Sequence, residues 1–267
     1  VNQSWVNMQG AASIEQVLEL DSILELVPKQ NTDGISKHYH AIVSGELSGT
    51  STVVENIGFD GVHRFFNIYD NAITWKGQPA VQVVLEDVTQ KVMLEKQLVH
   101  QANYDEMTDL LNRRAIYEWL REHMFSKNYL VCMLLDIDDF KSINDTYGHM
   151  VGDEVICALA GITKRNAEKV GGVTGRWGGE EFIIFIPNAS LETALEVSEE
   201  IRQQFHHVEF KIDEQVRFNS SVSIGISDSR ACEDGVTIDA LVNLTDQSLY
   251  RAKANGKNCV DGDVVAL

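Results

Sequence analysis

The spacing of apolar positions changes twice along this 267-residue chain. Near its start, short helical patches at Ser13–Leu20 and Gly34–Val43 precede runs rich in β-branched and aromatic residues. Those runs are Ser51–Phe59, His63–Tyr69, Asn71–Trp75 and Ala80–Asp87, with turn signals at Asp60-Gly61 and Lys76-Gly77-Gln78-Pro79. The pattern predicts a small module over residues 1–90 built on antiparallel strands. Residues 91–103 then read as a helix, with Leu94 and Leu98 on one face among Glu95, Lys96 and Gln97. Two apolar positions do not define a coiled coil, so this segment is either a signalling helix or an ordinary amphipathic linker. From about Tyr104 helical and strand periods alternate. Helices are predicted at Arg113–His123, Gly152–Val170 and Ile238–Ala254, and another from Ser190 with Leu191, Ala194, Leu195, Ile201 and Phe205 on one side. Tyr129–Leu135 and Ser220–Ile226 read as strands, and Gly178-Gly179 as a hairpin between two more. The fold class expected is therefore α+β, in two domains.

Charge narrows the partners. The chain carries 40 acids against 22 Lys and Arg, a formal net charge of −18. Residues 1–90 hold 4 basic against 11 acidic groups and residues 91–267 hold 18 against 29, so neither half conceals a basic domain. This balance argues against a large nucleic-acid or anionic-membrane footprint, and a bound nucleotide needs local cations and divalent metal instead. Cys132, Cys157, Cys232 and Cys259 are scattered without a C-x-x-C pair, against a zinc site or disulfide framework and in keeping with a reducing compartment. No apolar stretch approaches the roughly 18 residues of a membrane span, and the first residues lack a signal-peptide pattern. The expected location is cytoplasmic, with no membrane segment.

Two acidic sites carry the chemistry. Gly178-Gly179-Glu180-Glu181-Phe182 places two acids just past a tight turn, where side chains can reach a ligand; taken alone, the same residues also suit a solvated hairpin end. Asp136-Ile137-Asp138-Asp139-Phe140-Lys141 lies where an apolar strand ends, a usual place for functional groups in α/β folds. Acids crowded there repel one another unless a cation sits among them; the plain alternative is a solvated strand end.

Gly-Gly-Glu-Glu-Phe is a signature of GGDEF domains, the diguanylate cyclases, and residues 104–267 resemble that family at several separate points. The pattern D-x-D-x-F-K-x-I-N-D-x-x-G-H-x-x-G-D is complete in Asp136, Asp138, Phe140, Lys141, Ile143, Asn144, Asp145, Gly148, His149, Gly152 and Asp153. Asp105–Arg114 matches the entry motif D-x-L-T-x-L-x-N-R-R with Met107 in place of Leu, and is read as the joint with the connector. Tyr250–Asn258 resembles the closing motif Y-x-A-K-x-x-G-R-N with Lys257 in place of Arg, and Ser221–Gly225 matches a structural core strand. The resemblance implies a central, mainly antiparallel five-stranded sheet flanked by helices, of the nucleotide-cyclase, ferredoxin-like kind. It implies that Asp136 and Glu180, with the backbone carbonyl of Ile137, hold Mg²⁺ or Mn²⁺. Asn144 and Asp153 match the guanine-reading positions, and Asp153 is also placed to cap the helix that follows. Lys141, Lys253 and Lys257 are assigned to GTP, although lysines at a helix end also favour the helix dipole. Glu180 and Glu181 are the candidate catalytic acids; Glu181 either helps remove the ribose 3′-hydroxyl proton or is a second metal ligand.

The activity implied is condensation of two GTP into cyclic di-GMP with release of two pyrophosphates, by two domains facing each other in a homodimer. The alternative is an inactive GGDEF domain serving as a GTP- or cyclic-dinucleotide-binding module. Many cyclases carry an inhibitory R-x-x-D just before the signature; Lys169 and Gly172 stand at those positions, so no inhibitory site is expected. Residues 1–90 resemble the second half of a PAS sensor domain, and Asp87-Val88-Thr89 matches the motif with which such domains hand over to a helix. Val1-Asn2 reads as the end of an early strand, with the module's first strand missing. No ligand is assigned to it: residues 1–90 lack the Cys of light-sensing PAS domains, and His38 and His40 read as solvent-facing residues off the register of a haem ligand.

Overall fold

The computed structural model describes residues 1–29, 32–44, 46, 50–124, 129–213, 216–231 and 237–262, so Cys232 lies outside the described residues. The chain divides into two compact units, residues 1–99 and residues 100 onward.

In the first unit, helices α1 (Gln3–Met8), α2 (Ile14–Leu18) and α3 (Thr32–Val43) precede strands β1 (Thr50–Ile57), β2 (His63–Trp75) and β3 (Gln78–Asp87). The strands form an antiparallel sheet in the order β1-β2-β3. One face buries Val54 and Phe66, and Val6 and Ile42 from the helices are buried too. Val1-Asn2 does not end a strand. Asn2 caps α1 instead, its Oδ1 accepting the Trp5 amide at 2.9 Å. His63–Tyr69 and Asn71–Trp75 are one 13-residue strand rather than two. The Asp70-Asn71 pair looks like a break in the sequence, but β3 ladders with β2 through it, Asp70 opposite Val83. Buried Asp70 is paired with His38 of α3, Nε2 to Oδ2 3.1 Å. His38 is therefore half-buried on the sheet and not solvent-facing, because a buried carboxylate requires a donor. His40 is exposed. Asp87-Val88-Thr89 fastens the start of α4 (Thr89–Asn103): the Phe65 amide donates to Thr89 Oγ1 at 2.8 Å and the Val88 amide to the Phe65 carbonyl at 2.9 Å. The division between the units falls within α4.

The second unit runs α5 (Arg113–Met124), β4 (Leu130–Ile137), α6 (Phe140–Tyr147), α7 (His149–Lys169), β5 (Val173–Gly178), β6 (Glu181–Pro187) and α8 (Leu191–His206). It continues with the short pair β7 (Phe210–Lys211) and β8 (Arg217–Phe218), then β9 (Val222–Asp228), α9 (Ile238–Ala254) and β10 (Val260–Gly262). A five-stranded sheet has the order β10-β9-β4-β6-β5, in which β10 is parallel to β9 and the other neighbours are antiparallel. Central strand β4 is buried along its length, so its apolar run is continuous rather than alternating. Val131, Met133, Leu135 and Ile137 pack with α7 and α8, and Leu130, Cys132 and Leu134 with α5 and α9. The sheet is thus covered on both faces, with Phe182, Phe185 and Phe205 fully buried, each such side chain worth roughly 1.5–3 kcal/mol of burial. Two boundaries differ from expectation. Phe140–Tyr147 is helical, and α7 begins at His149 rather than at Gly152. Gly148 is the N-cap of α7, so Asp153 sits inside the helix and does not cap it. Among the described residues no helix is long and apolar enough to cross a membrane.

Candidate active site

The β5–β6 hairpin has a two-residue turn, with Gly178 laddered to Glu181 and Gly179 at φ +53°. That angle favours glycine at the first turn position, which is why the Gly-Gly pair makes so tight a reversal. It brings Glu181, the first residue of β6, directly opposite Asp136 of β4. Residues opposed across an antiparallel ladder point to one face. This is the face that carries Leu134 and Ile183 into the α5–α9 core, so the acids stand at its open end. Burial pushes the Asp136 carboxyl up from the ordinary carboxylate range, Lys253 pulls it back, and Glu180 and Asp138 push it up again. Burial likewise raises Glu181, with Asp136 the next cause. The two acids and Glu180 thus feel one another's charge. Lys253, in the last turn of α9, answers with its Nζ 2.8 Å from Asp136 Oδ2.

The neighbouring acids are held differently. Asp138 is buried and accepts from Ser221 Oγ and Ser223 Oγ, each at 2.6 Å, and from the Asn258 amide at 2.9 Å. It ties β4 to β9 and to the segment after α9, so the two serines read as structural are structural through this acid. Asp139, at φ +54°, pairs with Lys257 at 2.6 Å. Two of the three lysines assigned to GTP, Lys253 and Lys257, therefore rest on the acids at the end of β4. Lys141 is exposed on the first turn of α6.

Asn144 lies across the α6–α7 contact. Its Oδ1 is buried without a hydrogen-bond partner, and a Cβ on Gly152 would collide with that atom. Gly152 is therefore glycine for space, exposed Asp153 follows it on α7, and a buried acceptor left without a donor is costly. Lys169 turns to α8, bonding Glu200 at 2.8 Å and Asn166 at 2.9 Å, and Gly172 lies close to the Phe185 and Ala167 carbonyls.

One residue that pattern reading left unassigned is Arg176, two positions before the Gly-Gly turn. Its Nε donates to the Gly179 carbonyl at 2.8 Å and its Nη1 to both oxygens of Asp105, at 3.1 and 3.2 Å. Burial alone would raise Asp105, but hydrogen bonds from Thr108 and Arg176 hold its carboxyl below the ordinary range. The guanidinium thus clamps the entry motif to the hairpin. The available signal was an Arg beside an acidic signature, but its partner lies far back in the chain. Arg176→Met should destabilise the second unit by about 1–3 kcal/mol, since it takes the charged partner from a partly buried carboxylate that keeps only its Thr108 bonds. Thermal unfolding of the two proteins checks this, and an unchanged midpoint would refute the clamp. Arg113, over the Trp177 ring at 4.5 Å, and Tyr117, stacked on it, wall a cavity of about 490 Å³ that opens beside Glu181.

Among the described residues no three His, Cys, Asp or Glu side chains form a group able to hold a metal by themselves. A cation at Asp136 would draw on carbonyl, water and ligand oxygens as well, the habit of Mg²⁺.

Comparison with known proteins agrees with this geometry. The family model "Diguanylate cyclase, GGDEF domain" matches residues 102–259. The diguanylate cyclase DgcM of Escherichia coli (strain K12) is 40% identical over 205 residues, covering 75% of this chain and 48% of that protein. A diguanylate cyclase of Vibrio cholerae is 38% identical over 180 residues, 66% of this chain and 54% of the relative. The chain thus spans about half the length of the relatives it matches. Among solved structures, the coiled coil and GGDEF domain of DgcB from Caulobacter crescentus, in complex with c-di-GMP, superposes with a TM-score of 0.60 at 27% identity, covering 66% of this chain and 93% of that one. The active GGEEF domain of a diguanylate cyclase from Vibrio cholerae gives a TM-score of 0.51 at 36% identity, over 57% and 97% of the two chains. With its signature hairpin, its sheet order and a family match over more than half its length, the chain belongs to the GGDEF diguanylate cyclase family.

Proposed function

We propose that this protein is a diguanylate cyclase that condenses two GTP into cyclic di-GMP and releases two pyrophosphates. The observation that carries this reading is the pairing, within one unit, of opposed acids at a strand end with an unpartnered acceptor over Gly152. The acids suit divalent metal, because their burial and mutual repulsion call for a cation and Lys253 already stands there as one. Asp136, Glu180 and the Ile137 carbonyl would hold Mg²⁺ or Mn²⁺, which neutralises phosphate charge and lowers the pKa of an attacking hydroxyl.

The remaining work falls to the chain's own groups. Asn144 Oδ1 and the Asp153 carboxylate are acceptors, matched to the N1–H and exocyclic amine of guanine and not to the adenine edge. Lys141, Lys253 and Lys257 supply cations to the triphosphate. Glu181, whose carboxyl burial holds above its ordinary range, is the group placed to take the 3′-hydroxyl proton of the second nucleotide. One unit presents one set of these groups, so catalysis needs two chains whose nucleotides face each other, and most of the acceleration is positioning. Residues 104–267 are read as the catalytic domain, 91–103 as its connector and 1–90 as a PAS-like sensor that sets how often two catalytic domains meet. A cytoplasmic location follows from GTP as substrate.

The test is incubation of the purified chain with GTP and Mg²⁺, with chromatography for cyclic di-GMP. Product is expected; GTP binding without product would favour the inactive signalling module. The same assay with added cyclic di-GMP at saturating GTP should show little loss of initial rate. Lys169 is engaged with α8 and Gly172 has no carboxylate, which removes the bidentate clamp an Arg would offer. Strong non-competitive inhibition would contradict that reading.

A further inference from the structure

Asp136 and Lys253 come from distant parts of the chain, the end of β4 and the last turn of α9. Their Oδ2 and Nζ lie 2.8 Å apart, with the Asp136 side chain 12% exposed. The second pair at this edge, Lys257 with Asp139, is more open: its acid is 66% exposed. An ammonium in contact with Asp136 Oδ2 competes with a divalent cation for that oxygen. Both cannot sit on the same oxygen, because like charges at contact distance repel strongly in a partly buried setting. Nor can Lys253 simply withdraw, since a buried carboxylate and a displaced cation would each lose a partner.

We propose that Lys253 is the displaceable counter-ion of Asp136. It holds the acid while the site is empty and moves to the nucleotide's phosphates when they arrive, so that cation and nucleotide enter together and each binds weakly alone. This rests on the cyclase reading of the same acids. The phosphates give the ammonium a new anionic partner at the step that frees Asp136. By linkage, whatever factor the nucleotide adds to metal affinity, the metal adds to nucleotide affinity. Lys253 is then a positioning residue that sets the order of assembly, in addition to binding phosphate.

The experiment titrates Mn²⁺ into the full chain and follows free Mn²⁺ by electron paramagnetic resonance. It is run with and without a GTP analogue that carries a methylene in place of the α,β-bridging oxygen. The parent chain should bind Mn²⁺ weakly alone and much more tightly with the analogue. Without nucleotide, Lys253→Met should bind Mn²⁺ about tenfold more tightly than the parent, and the gain from the analogue should shrink by a similar factor. Lys257→Met removes the same charge from the more open pair and should change nucleotide-free Mn²⁺ affinity by less than about threefold. Lys253→Arg keeps the charge and forks onto a carboxylate, so Mn²⁺ binding should be weaker than in the parent. Equal affinity in Lys253→Met and the parent would overturn the proposal, as would an equal gain in Lys257→Met, which would mean bulk charge alone. If no chain takes up Mn²⁺ even with the analogue, the metal reading of Asp136 fails and the proposal falls with it. If Mn²⁺ binds throughout but is indifferent to Lys253, only the proposal falls.

Discussion

Glu180→Gln is expected to lower the rate of cyclic di-GMP formation by about 10³-fold or more while leaving the fold intact. Glu180 occupies the second position of the hairpin turn, and its charge reaches both Asp136 and Glu181. The amide keeps the shape of the side chain but not the negative charge that a divalent ligand must supply. Because the residue sits in a turn and lies in neither apolar core, the substitution should shift stability by no more than about 0.5 kcal/mol. Two measurements decide the matter, product formed per enzyme under saturating GTP and the midpoint of thermal unfolding. Near-parent turnover would remove Glu180 from the metal site, and a collapsed midpoint would make the loss of activity a folding effect.

The second large effect concerns choice of base. Asn144→Ala and Asp153→Ala should each weaken GTP by about 1–3 kcal/mol, roughly 5- to 150-fold in affinity, with ATP changed far less. Asn144 Oδ1 is already buried and unpartnered, so truncation removes an acceptor without breaking a bond within the protein. Asp153 is exposed within α7 and caps nothing, so its loss should leave the helix intact. Gly152→Ala tests the same cradle from beneath, since its methyl would force Asn144 Oδ1 aside. It should reproduce the Asn144→Ala selectivity loss without removing a polar group. Equal losses for GTP and ATP would mean that these residues support the α6–α7 contact and not base reading.

Much of this site was legible before the chain was folded, and the reason is local. A Gly-Gly pair between two apolar runs dictates a hairpin whatever surrounds it, and the observed turn is Gly179-Glu180. The run from Val131 to Leu135 announced the central strand, and the acids after it announced a strand end. Helix α8 starts at the Ser190 cap, whose Oγ accepts from the Thr193 amide, with Ala194, Ile201 and Phe205 buried along one side. In each case the signal and its consequence lie within a few residues.

What only the tertiary structure decided was partnership across long separations. The antiparallel β4–β6 register places Asp136 against Glu181, and a shift by one residue would have turned one of them to the other face. The same is true of His38 on Asp70, which let β2 run on through a polar pair that reads as a break, and of Arg176 on Asp105. Asn144 was matched to guanine by its motif, but only the fold showed Gly152 of α7, a helix that starts earlier than its sequence suggested, lying against its side chain. Lys253 was legible as a phosphate ligand but not as the partner of Asp136. Hydrophobic period and turn chemistry set which residues form each element. Sheet order, register and the need to pair buried charges set which elements meet, and those depend on the whole chain at once.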